Sequence, residues 1–292
     1  MIKRVLITGK DSYIGLSVLA WLKDFYPQQL IVDELCVKDE TWRNVDFSCY
    51  DAVFHVAGIA HSDLGKADDE LEKLYRQVNT DLAIAVATKA KCDGVPHFVF
   101  MSSMIIFGDS APIGEQKRIV QGTVPEPANF YGDSKLQAEI GIMALQNENF
   151  RIAIIRPPMV YGKGGRGNYP RLAQLAKKMV YFPTIENERS MIHIDNFCEF
   201  IRLILIDQAD GIFHPQNAEY VQTSNLVVTI ARVHGRKIRL IRFLTPLLRP
   251  LAKISGSVNK VFGNLSYEME LSKYPTDYRV RSFEESIELT EQ

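Results

Sequence analysis

Hydrophobic positions in this chain form short continuous runs that are separated by stretches with helical spacing. The continuous apolar runs, which are typical of strands buried on both faces of a parallel sheet, are Arg4–Thr8, Leu30–Val37, Ala52–Ala57, Phe98–Met101 and Arg151–Ile155. Between them, apolar residues recur every three to four positions, which predicts helices over Tyr13–Phe25, Leu71–Cys92 and Tyr131–Gln146. This alternation predicts an α/β fold with a doubly wound parallel sheet and right-handed crossovers.

Two parts of the chain depart from this alternation. The segment Asp33–Asp51 is too short for a crossover helix flanked by two strands, because such a unit needs a dozen or more residues. We expect that an element is lost there, or that two neighbouring strands are merged into one. After Pro157 the chain changes to Gly/Pro-rich loops with short elements, among them a return strand at Ser190–Ile194 and a helix at Asn196–Asp207. We expect the last 80 or so residues to form a smaller lobe that binds substrate.

Composition narrows the class of protein. The chain has 292 residues, of which 46% are hydrophobic and 24% charged, and its net charge is −1, so nothing global indicates a nucleic-acid binder. The four cysteines have no paired spacing and the six histidines form no HExxH pattern, so we expect reduced thiols and no metal site. The first apolar run is too short for a signal peptide or a membrane span, which predicts a cytoplasmic location.

The first strand is followed by a glycine-containing turn, Thr8-Gly9-Lys10-Asp11-Ser12-Tyr13-Ile14-Gly15, that leads into the first helix. A dinucleotide fingerprint requires this strand–turn–helix context. Gly9 would make the tight turn, Gly15 would let the helix pack close to the strand, and the helix N-terminus would face a pyrophosphate. Ser12 occupies the middle position, where glycine is usual. Its β-carbon crowds the approach of the phosphates, but its hydroxyl can donate a hydrogen bond to them.

The acid that would bind the adenosine ribose has two candidates. Asp33 lies eighteen residues after Gly15, close to the usual spacing of about 20, and favours NAD over NADP. If Asp33 instead lies inside a merged strand, then Lys38, Asp39 and Glu40 stand at the end of that strand, and Lys38 would tolerate a 2′-phosphate.

Three polar residues in the first half of the chain point to proton transfer. Ser103 follows a predicted strand, and Tyr131 and Lys135 are four apart on a predicted helix. One helical turn brings Tyr131 and Lys135 onto one face, where an ammonium group can lower the pKa of a phenol from about 10. Such a pair can pass a proton to or from a sugar hydroxyl while a nicotinamide takes or gives hydride.

Taken together, these blocks resemble the extended short-chain dehydrogenase/reductase family. The blocks that carry the resemblance are Thr8–Gly15, His55-Val-Ala-Gly58, Asn79, Ser102-Ser103, Tyr131-Gly-Asp-Ser-Lys135 and Arg156-Pro-Pro-Met-Val-Tyr-Gly162. Within that family the chain is similar to nucleotide-sugar epimerases and reductases of the UDP-glucose 4-epimerase kind. The resemblance implies a Rossmann-type NAD(P)-binding domain over residues 1–157 and 189–214, a substrate-binding lobe over 158–188 and 215–292, and a homodimer formed through the helices near Leu71–Cys92 and Tyr131–Gln146.

The resemblance also implies roles for individual residues. Tyr131 is the general acid/base, Lys135 holds the nicotinamide ribose and lowers the pKa of Tyr131, and Ser103 hydrogen-bonds the reacting oxygen. The implied cofactor-binding residues are Gly9, Ser12, Tyr13, Ile14, Gly15, Asp33, Asp39, Ala57, Gly58, Asn79, Lys135 and Pro158. On the substrate side the resemblance implies Ser103, Met159, Asn168 and Arg189. Arg189 matches an arginine that binds the nucleotide diphosphate of a UDP-sugar, whereas Met159 replaces an asparagine common in UDP-sugar epimerases and leaves the carrier open.

The expected activity is that of an NAD-dependent UDP-hexose or UDP-N-acetylhexosamine 4-epimerase that acts through a transient 4-keto sugar. The alternative is an NAD(P)H-dependent reductase of a 4-keto-6-deoxy nucleotide sugar, because both reactions use Ser103, Tyr131 and Lys135. A dehydratase is disfavoured, since Met104-Ile105 stand where such enzymes carry an acid pair. A non-catalytic dinucleotide-sensing protein on the same fold is a third hypothesis, although such proteins commonly lack the tyrosine or the lysine.

One stretch of the second half has no acidic residue. From Tyr220 to Tyr267 there is no Asp or Glu, and the cations there are Arg232, Arg236, Lys237, Arg239, Arg242, Arg249, Lys253 and Lys260. The stretch is open to two interpretations: it helps to hold a diphosphate, with the remaining charge in solvent, or it contacts an anionic membrane surface. Prolines at 246 and 250 argue against one continuous amphipathic helix.

Overall fold

The computed structural model describes residues 2–60, 68–244, 259 and 261–292. These residues form two compact units. The first unit contains 1–108, 124–157 and 198–214, and the second contains 109–123, 158–197 and 215–292. The helices, named in chain order, are α1 Tyr13–Phe25, α2 Asp68–Tyr75, α3 Leu82–Cys92, α4 Phe130–Met143, α5 Asn168–Lys178, α6 Ile194–Asp207, α7 Thr223–Val233 and α8 Phe283–Glu291.

A six-stranded parallel sheet lies at the centre of the first unit. Its strands are β1 Lys3–Thr8, β2 Leu30–Leu35, β3 Ala52–His55, β4 His97–Met101, β6 Arg151–Ile155 and β10 Gly211–Phe213. The spatial order is β10-β6-β4-β3-β1-β2, and every pair is parallel. From β1 the chain goes to β2 on one side and returns to β3 on the other, so the strand order reverses between β1 and β3. In open α/β sheets, ligands bind outside the carboxyl ends of the strands at such a reversal.

Helices cover both faces of this sheet, which confirms the predicted doubly wound architecture. On one face, α3 and α4 pack on alternate strand residues such as Leu6, Phe98 and Ile152. The intervening strand residues point to the opposite face because side chains alternate along a strand. There α1 approaches Ile7 closely, and Trp21 of α1 donates a hydrogen bond of 3.1 Å to Glu199 of α6.

The connection between β2 and β3 shows which of the two expectations for the irregular segment Asp33–Asp51 is correct. It holds a short 3-10 helix at Glu40–Asn44, which begins at Asp39, and the described chain has no crossover helix there. Both strands pair with β1, on opposite edges, so they are separate strands and the expectation of a lost element is the correct one.

The long helix predicted over Leu71–Cys92 is interrupted. The structure has α2, then a π-helical segment at Arg76–Asp81, then α3. A π segment adds a residue to one turn, which rotates the side chains that follow it, and such segments are frequent at functional sites. Asn79 lies within this segment.

The second unit has three short two-stranded sheets around its own core. Their pairs are β7 Met159–Tyr161 with β9 Met191–His193, β8 Tyr181–Pro183 with β11 Arg239–Ile241, and β5 Arg118–Ile119 with β12 Ser266–Tyr267. Helices α5, α7 and α8 pack around buried side chains such as Leu172, Phe182, Leu226 and Ile287.

The unit boundaries differ from the sequence-based division at two segments. Residues 109–123 and 189–197 belong to the second unit, whereas the sequence predicted them in the first. The return strand predicted at Ser190–Ile194 is β9, and it pairs with β7 instead of joining the central sheet. Residues 109–123 are held in the second unit by pairing of β5 with β12 and by the bridge from Ala111 to Asn264.

Candidate active site

The turn after β1 is built around backbone that only glycine tolerates. Gly9 has φ +118, and a Cβ there would lie 2.6 Å from the backbone nitrogen of Ala57. Gly15 is equally close-packed, since its Cβ would meet Ser12 Oγ at 2.7 Å. Ser12 is the N-cap of α1, and its hydroxyl oxygen accepts a hydrogen bond of 3.1 Å from the Gly15 N–H. The turn therefore brings the N-terminus of α1 to the β1/β3 reversal, where backbone N–H groups suit a phosphate.

The segment after β3 lies against this turn and against α4. A Cβ on Gly58 would be 2.9 Å from Asn79 Oδ1 and 3.2 Å from the Lys135 ammonium. Asn79, fully buried, accepts a 2.8 Å hydrogen bond from Ile59 N–H and donates one of 3.0 Å to the Ile59 carbonyl. It also donates to Ser134 Oγ at 3.1 Å. Asn79 thus ties the end of β3 to the helix that carries Tyr131 and Lys135.

Ser103 and Tyr131 meet at the carboxyl end of β4. Ser103 lies two residues after that strand and begins a 3-10 helix at Met104–Phe107, and its side chain accepts a hydrogen bond of 3.3 Å from Ile105 N–H. Tyr131 is in the first turn of α4, and its hydroxyl is hydrogen-bonded to Ser103. Gly132 permits this contact because a Cβ there would be 2.9 Å from the Ile105 carbonyl oxygen.

Burial controls the ionisation of both catalytic candidates on α4. It raises the pKa of Tyr131 to about 12, while the hydrogen bond with Ser103 acts in the opposite direction. It lowers the pKa of Lys135 to about 8. The Lys135 ammonium donates a 2.8 Å hydrogen bond to the Met101 carbonyl and lies 4.8 Å from the centre of the Phe100 ring. The sequence-based expectation that Lys135 lowers the Tyr131 pKa is not met in this conformation, because desolvation dominates and the ammonium bonds to backbone.

A buried ion pair lies one helical turn beyond Lys135, and it was not identified from the sequence. Arg156 contacts both carboxylate oxygens of Glu139, with Nη2–Oε2 at 2.6 Å and Nε–Oε1 at 3.1 Å. Ser102 also donates a hydrogen bond to Glu139. Glu139 lies one turn after Lys135 and raises the lysine pKa, opposing the effect of burial. Its spacing of four residues from Lys135 is the sequence signal that could have identified it.

The two candidate acids for the adenosine ribose lie in different places. Asp33 pairs in register with Leu6 inside β2, two residues before the strand ends, and its carboxylate is bound by Arg4 at 3.0 Å and Tyr50 at 3.1 Å. The structure therefore does not bring Asp33 to the strand ends with Gly9. Asp39 lies beyond β2, where it caps the 3-10 helix and accepts a hydrogen bond of 3.0 Å from Thr41 N–H.

The remaining predicted cofactor residues flank the glycine turn or the end of β6. Tyr13 and Ile14 are half-buried in the first turn of α1. Pro158 is buried and lies three residues after β6, where the chain enters the 158–197 segment of the second unit.

The predicted substrate residues Met159, Asn168 and Arg189 belong to the second unit. Met159 opens β7 and pairs in register with Met191 of β9, and Asn168 is the first residue of α5. Arg189 donates a hydrogen bond of 3.1 Å to the Gly263 carbonyl, and burial lowers its pKa to about 10. Carboxylates do not appear among the causes of that pKa shift. A guanidinium held in this way suits an anionic ligand.

Two kinds of feature are absent from the described residues. Across residues 2–60, 68–244, 259 and 261–292, no group of three or more His, Cys, Asp or Glu is arranged to hold a metal ion. Within the same ranges, none of the helices combines the length and the apolar character that crossing a membrane requires.

Comparisons with known proteins agree with this architecture. The chain is 29% identical over 252 residues to the UDP-glucose 4-epimerase of Vibrio cholerae, which covers 79% of this chain and 76% of that protein. It is 24% identical over 263 residues to the N-acetyl-alpha-D-glucosaminyl-diphospho-ditrans,octacis-undecaprenol 4-epimerase of Escherichia coli O157:H7, covering 83% and 76% of the two chains. The crystal structure of a dTDP-4-dehydrorhamnose reductase from Clostridium acetobutylicum superposes with a TM-score of 0.72 at 20% identity, over 98% of each chain, and shows the same fold.

A family model matches residues 5–216, which include the glycine turn, the serine–tyrosine–lysine group and Arg189. This match spans well over half of the chain. The protein therefore belongs to the NAD dependent epimerase/dehydratase family.

Proposed function

We propose that this protein is an NAD-dependent nucleotide-sugar epimerase that inverts carbon 4 of a UDP-hexose or its N-acetyl derivative. The observation that carries the proposal is the hydrogen-bonded Ser103–Tyr131 pair at the carboxyl end of β4, with the Lys135 ammonium at the same edge of the sheet. The family supports the cofactor, and the similarity to two 4-epimerases, at 29% and 24% identity, supports the reaction.

The chain offers a cradle that fits a dinucleotide. Gly9, Gly15 and Gly58 are packed so closely at the β1/β3 reversal that a Cβ would lie 2.6–2.9 Å from other protein atoms, so the turn after β1, the start of α1 and the loop after β3 meet there through bare backbone. The residues that would hold the cofactor are Gly9, Ser12, Tyr13, Ile14, Gly15, Asp39, Ala57, Gly58, Lys135 and Pro158, with Asn79 bracing the loop behind them. NAD supplies the hydride acceptor and donor of the reaction.

Tyr131 would move the proton of the sugar alcohol. The ionised phenol oxygen of Tyr131 would take the proton of the C4 hydroxyl while the C4–H bond breaks and the hydrogen leaves with its electron pair as hydride, which leaves a ketone. The hydrogen bond with Ser103 favours the ionised phenol and so acts in the direction that proton removal requires. With a pKa of about 8, Lys135 is mostly protonated at neutral pH, which would let its ammonium group donate hydrogen bonds to the nicotinamide ribose. After the keto sugar turns over, hydride and proton return to its other face, so there is no net oxidation.

Arg189 supports a phosphate-containing carrier. It is tied to a backbone carbonyl, and a diphosphate would supply the anion that suits a partly buried guanidinium. The similarity to the Vibrio cholerae enzyme favours a uridine diphosphate, whereas the Escherichia coli relative acts on a sugar carried by a polyprenol diphosphate. Both carriers present the same diphosphate to Arg189, so we propose UDP as the first carrier to test.

A specific observation favours a second candidate, the NADPH-dependent reduction of a 4-keto sugar. Asp33, the acid that would select NAD, is inside β2 and bound by Arg4, while Lys38 is exposed just beyond the strand. A cation at that position tolerates a 2′-phosphate. This candidate uses Ser103, Tyr131 and Lys135 in the same roles.

Denaturing the purified protein and identifying the released nucleotide by mass separates the two candidates. An epimerase regenerates its cofactor in each turnover, so we expect bound NAD at close to one equivalent per chain and conversion of UDP-glucose to UDP-galactose without added cofactor. An empty protein that takes up NADPH and consumes it stoichiometrically with a 4-keto-6-deoxy sugar would overturn the epimerase proposal in favour of the reductase.

A further inference from the structure

The second unit exposes a surface on which cations and large apolar side chains lie side by side. It is formed by the end of α5 with the start of β8, and by β11 with the turns on either side of it. We name it the basic–apolar face, and its residues are Lys178, Val180, Tyr181, Arg236, Lys237, Arg239, Arg242 and Phe243. Arg249, Lys253 and Lys260 of the acid-free stretch lie outside the described residues.

The two segments of this face are joined by backbone hydrogen bonds. Arg239 N–H donates to the Val180 carbonyl at 2.9 Å, and Arg239 pairs in register with Tyr181 in the β8–β11 ladder. Paired residues of a parallel ladder present their side chains on one face, so Tyr181 and Arg239 lie beside each other on the outer side. On the inner side, Phe182 is buried in the core. The position of the face is thus set by the sheet that holds it.

The apolar side chains of the face are far more exposed than those of a folded core. Phe243 is 73% exposed, Val180 53% and Tyr181 52%. A single exposed apolar residue needs no explanation, but a contiguous group of them marks a surface that contacts something other than water.

The cations of the face differ from their neighbours in how they are paired. Next to the face, Arg232 pairs with Glu284 at 2.8 Å and Lys177 with Glu291 at 2.8 Å. Within the described part of the chain, the five cations of the face form no ion pair of this kind with a carboxylate.

We propose that the basic–apolar face docks this protein on the surface of an anionic lipid bilayer. Unpaired Lys and Arg attract anionic headgroups, and aromatic and aliphatic side chains beside them can enter the boundary between headgroups and acyl chains. A nucleic acid or an acidic protein segment would satisfy the cations but would leave Phe243 and Val180 in water. The combination of both kinds of side chain therefore favours a lipid surface. This inference does not depend on which sugar the enzyme converts.

Flotation with lipid vesicles tests the proposal with the full-length protein. We expect the wild-type chain to float with phosphatidylcholine vesicles that contain roughly one third phosphatidylglycerol, to be released as salt is raised, and to ignore pure phosphatidylcholine. A cation near such a surface contributes about fivefold to partitioning, so Lys237→Gln with Arg239→Gln should weaken binding about 25-fold. Phe243→Ser should weaken it further at every salt concentration.

A matched variant controls for net charge. Lys23→Gln with Lys273→Gln removes the same charge from exposed lysines elsewhere and should bind the vesicles like the wild type. Nucleotide content and turnover of a soluble nucleotide sugar, measured in parallel, should be unchanged in all variants, which separates this result from the fate of the proposed function. The proposal is overturned if the wild type does not float with the anionic vesicles, if it binds a DNA duplex instead, or if the control variant loses as much binding as the Lys237/Arg239 variant.

Discussion

Removing the charge of Glu139 should destabilise the first unit more than any conservative surface change. The Arg156 guanidinium is held by two carboxylate oxygens, and the exposed fractions of the two side chains are 11% for Arg156 and 4% for Glu139. Glu139→Gln keeps the shape but leaves a buried cation without its counter-charge. Breaking a buried pair from one side costs about 3–5 kcal/mol, a large share of the stability of a typical domain.

The same pair predicts a contrasting result when both charges are removed. Glu139→Met with Arg156→Met replaces the ion pair by apolar side chains of similar length. Because desolvation of both ions is then avoided, such replacements are often neutral or stabilising. We therefore expect the double variant to recover most of the loss seen in Glu139→Gln.

Urea unfolding followed by tryptophan fluorescence measures this effect in the appropriate unit. The chain has two tryptophans, Trp21 and Trp42, and both belong to the first unit, where Trp42 is 1% exposed. The midpoint should shift while the urea dependence stays constant, since the buried area is unchanged. A loss below about 1 kcal/mol in Glu139→Gln, or a double variant as unstable as the single one, would refute the argument that the pair is buried and mutually dependent.

Three further changes have expected outcomes. Tyr131→Phe should lower turnover by about 10²- to 10⁴-fold while the protein retains its bound nucleotide. The control variant Tyr26→Phe, at the far end of α1, should leave turnover unchanged. Equal losses of turnover in the two variants would contradict the proposed role of Tyr131. Gly9→Ala should abolish nucleotide retention and lower the thermal unfolding midpoint more than Gly94→Ala does. Both glycines have a positive φ, but only at Gly9 would the added Cβ lie 2.6 Å from another protein atom. Equal shifts of the midpoint in a thermal melt would contradict this. Burial lowers the pKa of His97 to about 4, so as the pH falls from 6.5 to 4 the unfolded state binds one more proton at this residue than the folded state does, and His97 alone should lower the stability by up to about 1.4 kcal/mol per pH unit. His55, His193 and His214 are buried in the same way, so His97→Gln should reduce the slope measured in urea titrations by the His97 share, and an unchanged slope would contradict this.

Five strands of the central sheet were predictable because each is a continuous apolar run that must be buried on both faces. Helix α1 and strand β6 match their predicted bounds, and β1 to β4 differ by one or two residues at one end. The edge strand β10 was not predicted, because its three residues are partly exposed and form no apolar run. The interruption of the helix over Leu71–Cys92 was not predictable, since a π segment changes the register by one residue without breaking the apolar pattern. The pairing of β9 with β7 was also not predictable, because the sequence of a three-residue strand does not indicate which strand it pairs with.

For the candidate site, local motifs were predictable and long-range register was not. Gly9, Gly58 and Ser103 each follow a buried strand, so their meeting at one edge of the sheet follows from parallel pairing. The spacing of Asp33 from Gly15 in the sequence was not enough to place its side chain. The alignment of Thr8 with Leu35 decides which residue of β2 reaches that edge, and this register leaves Asp33 two residues short. The homodimer expected from the family stays a prediction.

The position of the Tyr131 side chain depends on two successive serines as well as on the helix that carries it. Ser102 bonds to Glu139 and Ser103 bonds to Tyr131, and the two partners lie eight residues apart on one face of α4. Two contacts from adjacent residues to points two turns apart along a helix oppose both its rotation and its sliding. Because Lys135 lies between those points and bonds to the end of β4, its ammonium is held in the same frame. Tyr131, Lys135 and Glu139 are spaced four residues apart along α4. The contacts of Glu139 hold the helix in place, and this keeps the two proposed catalytic residues at the ends of the strands.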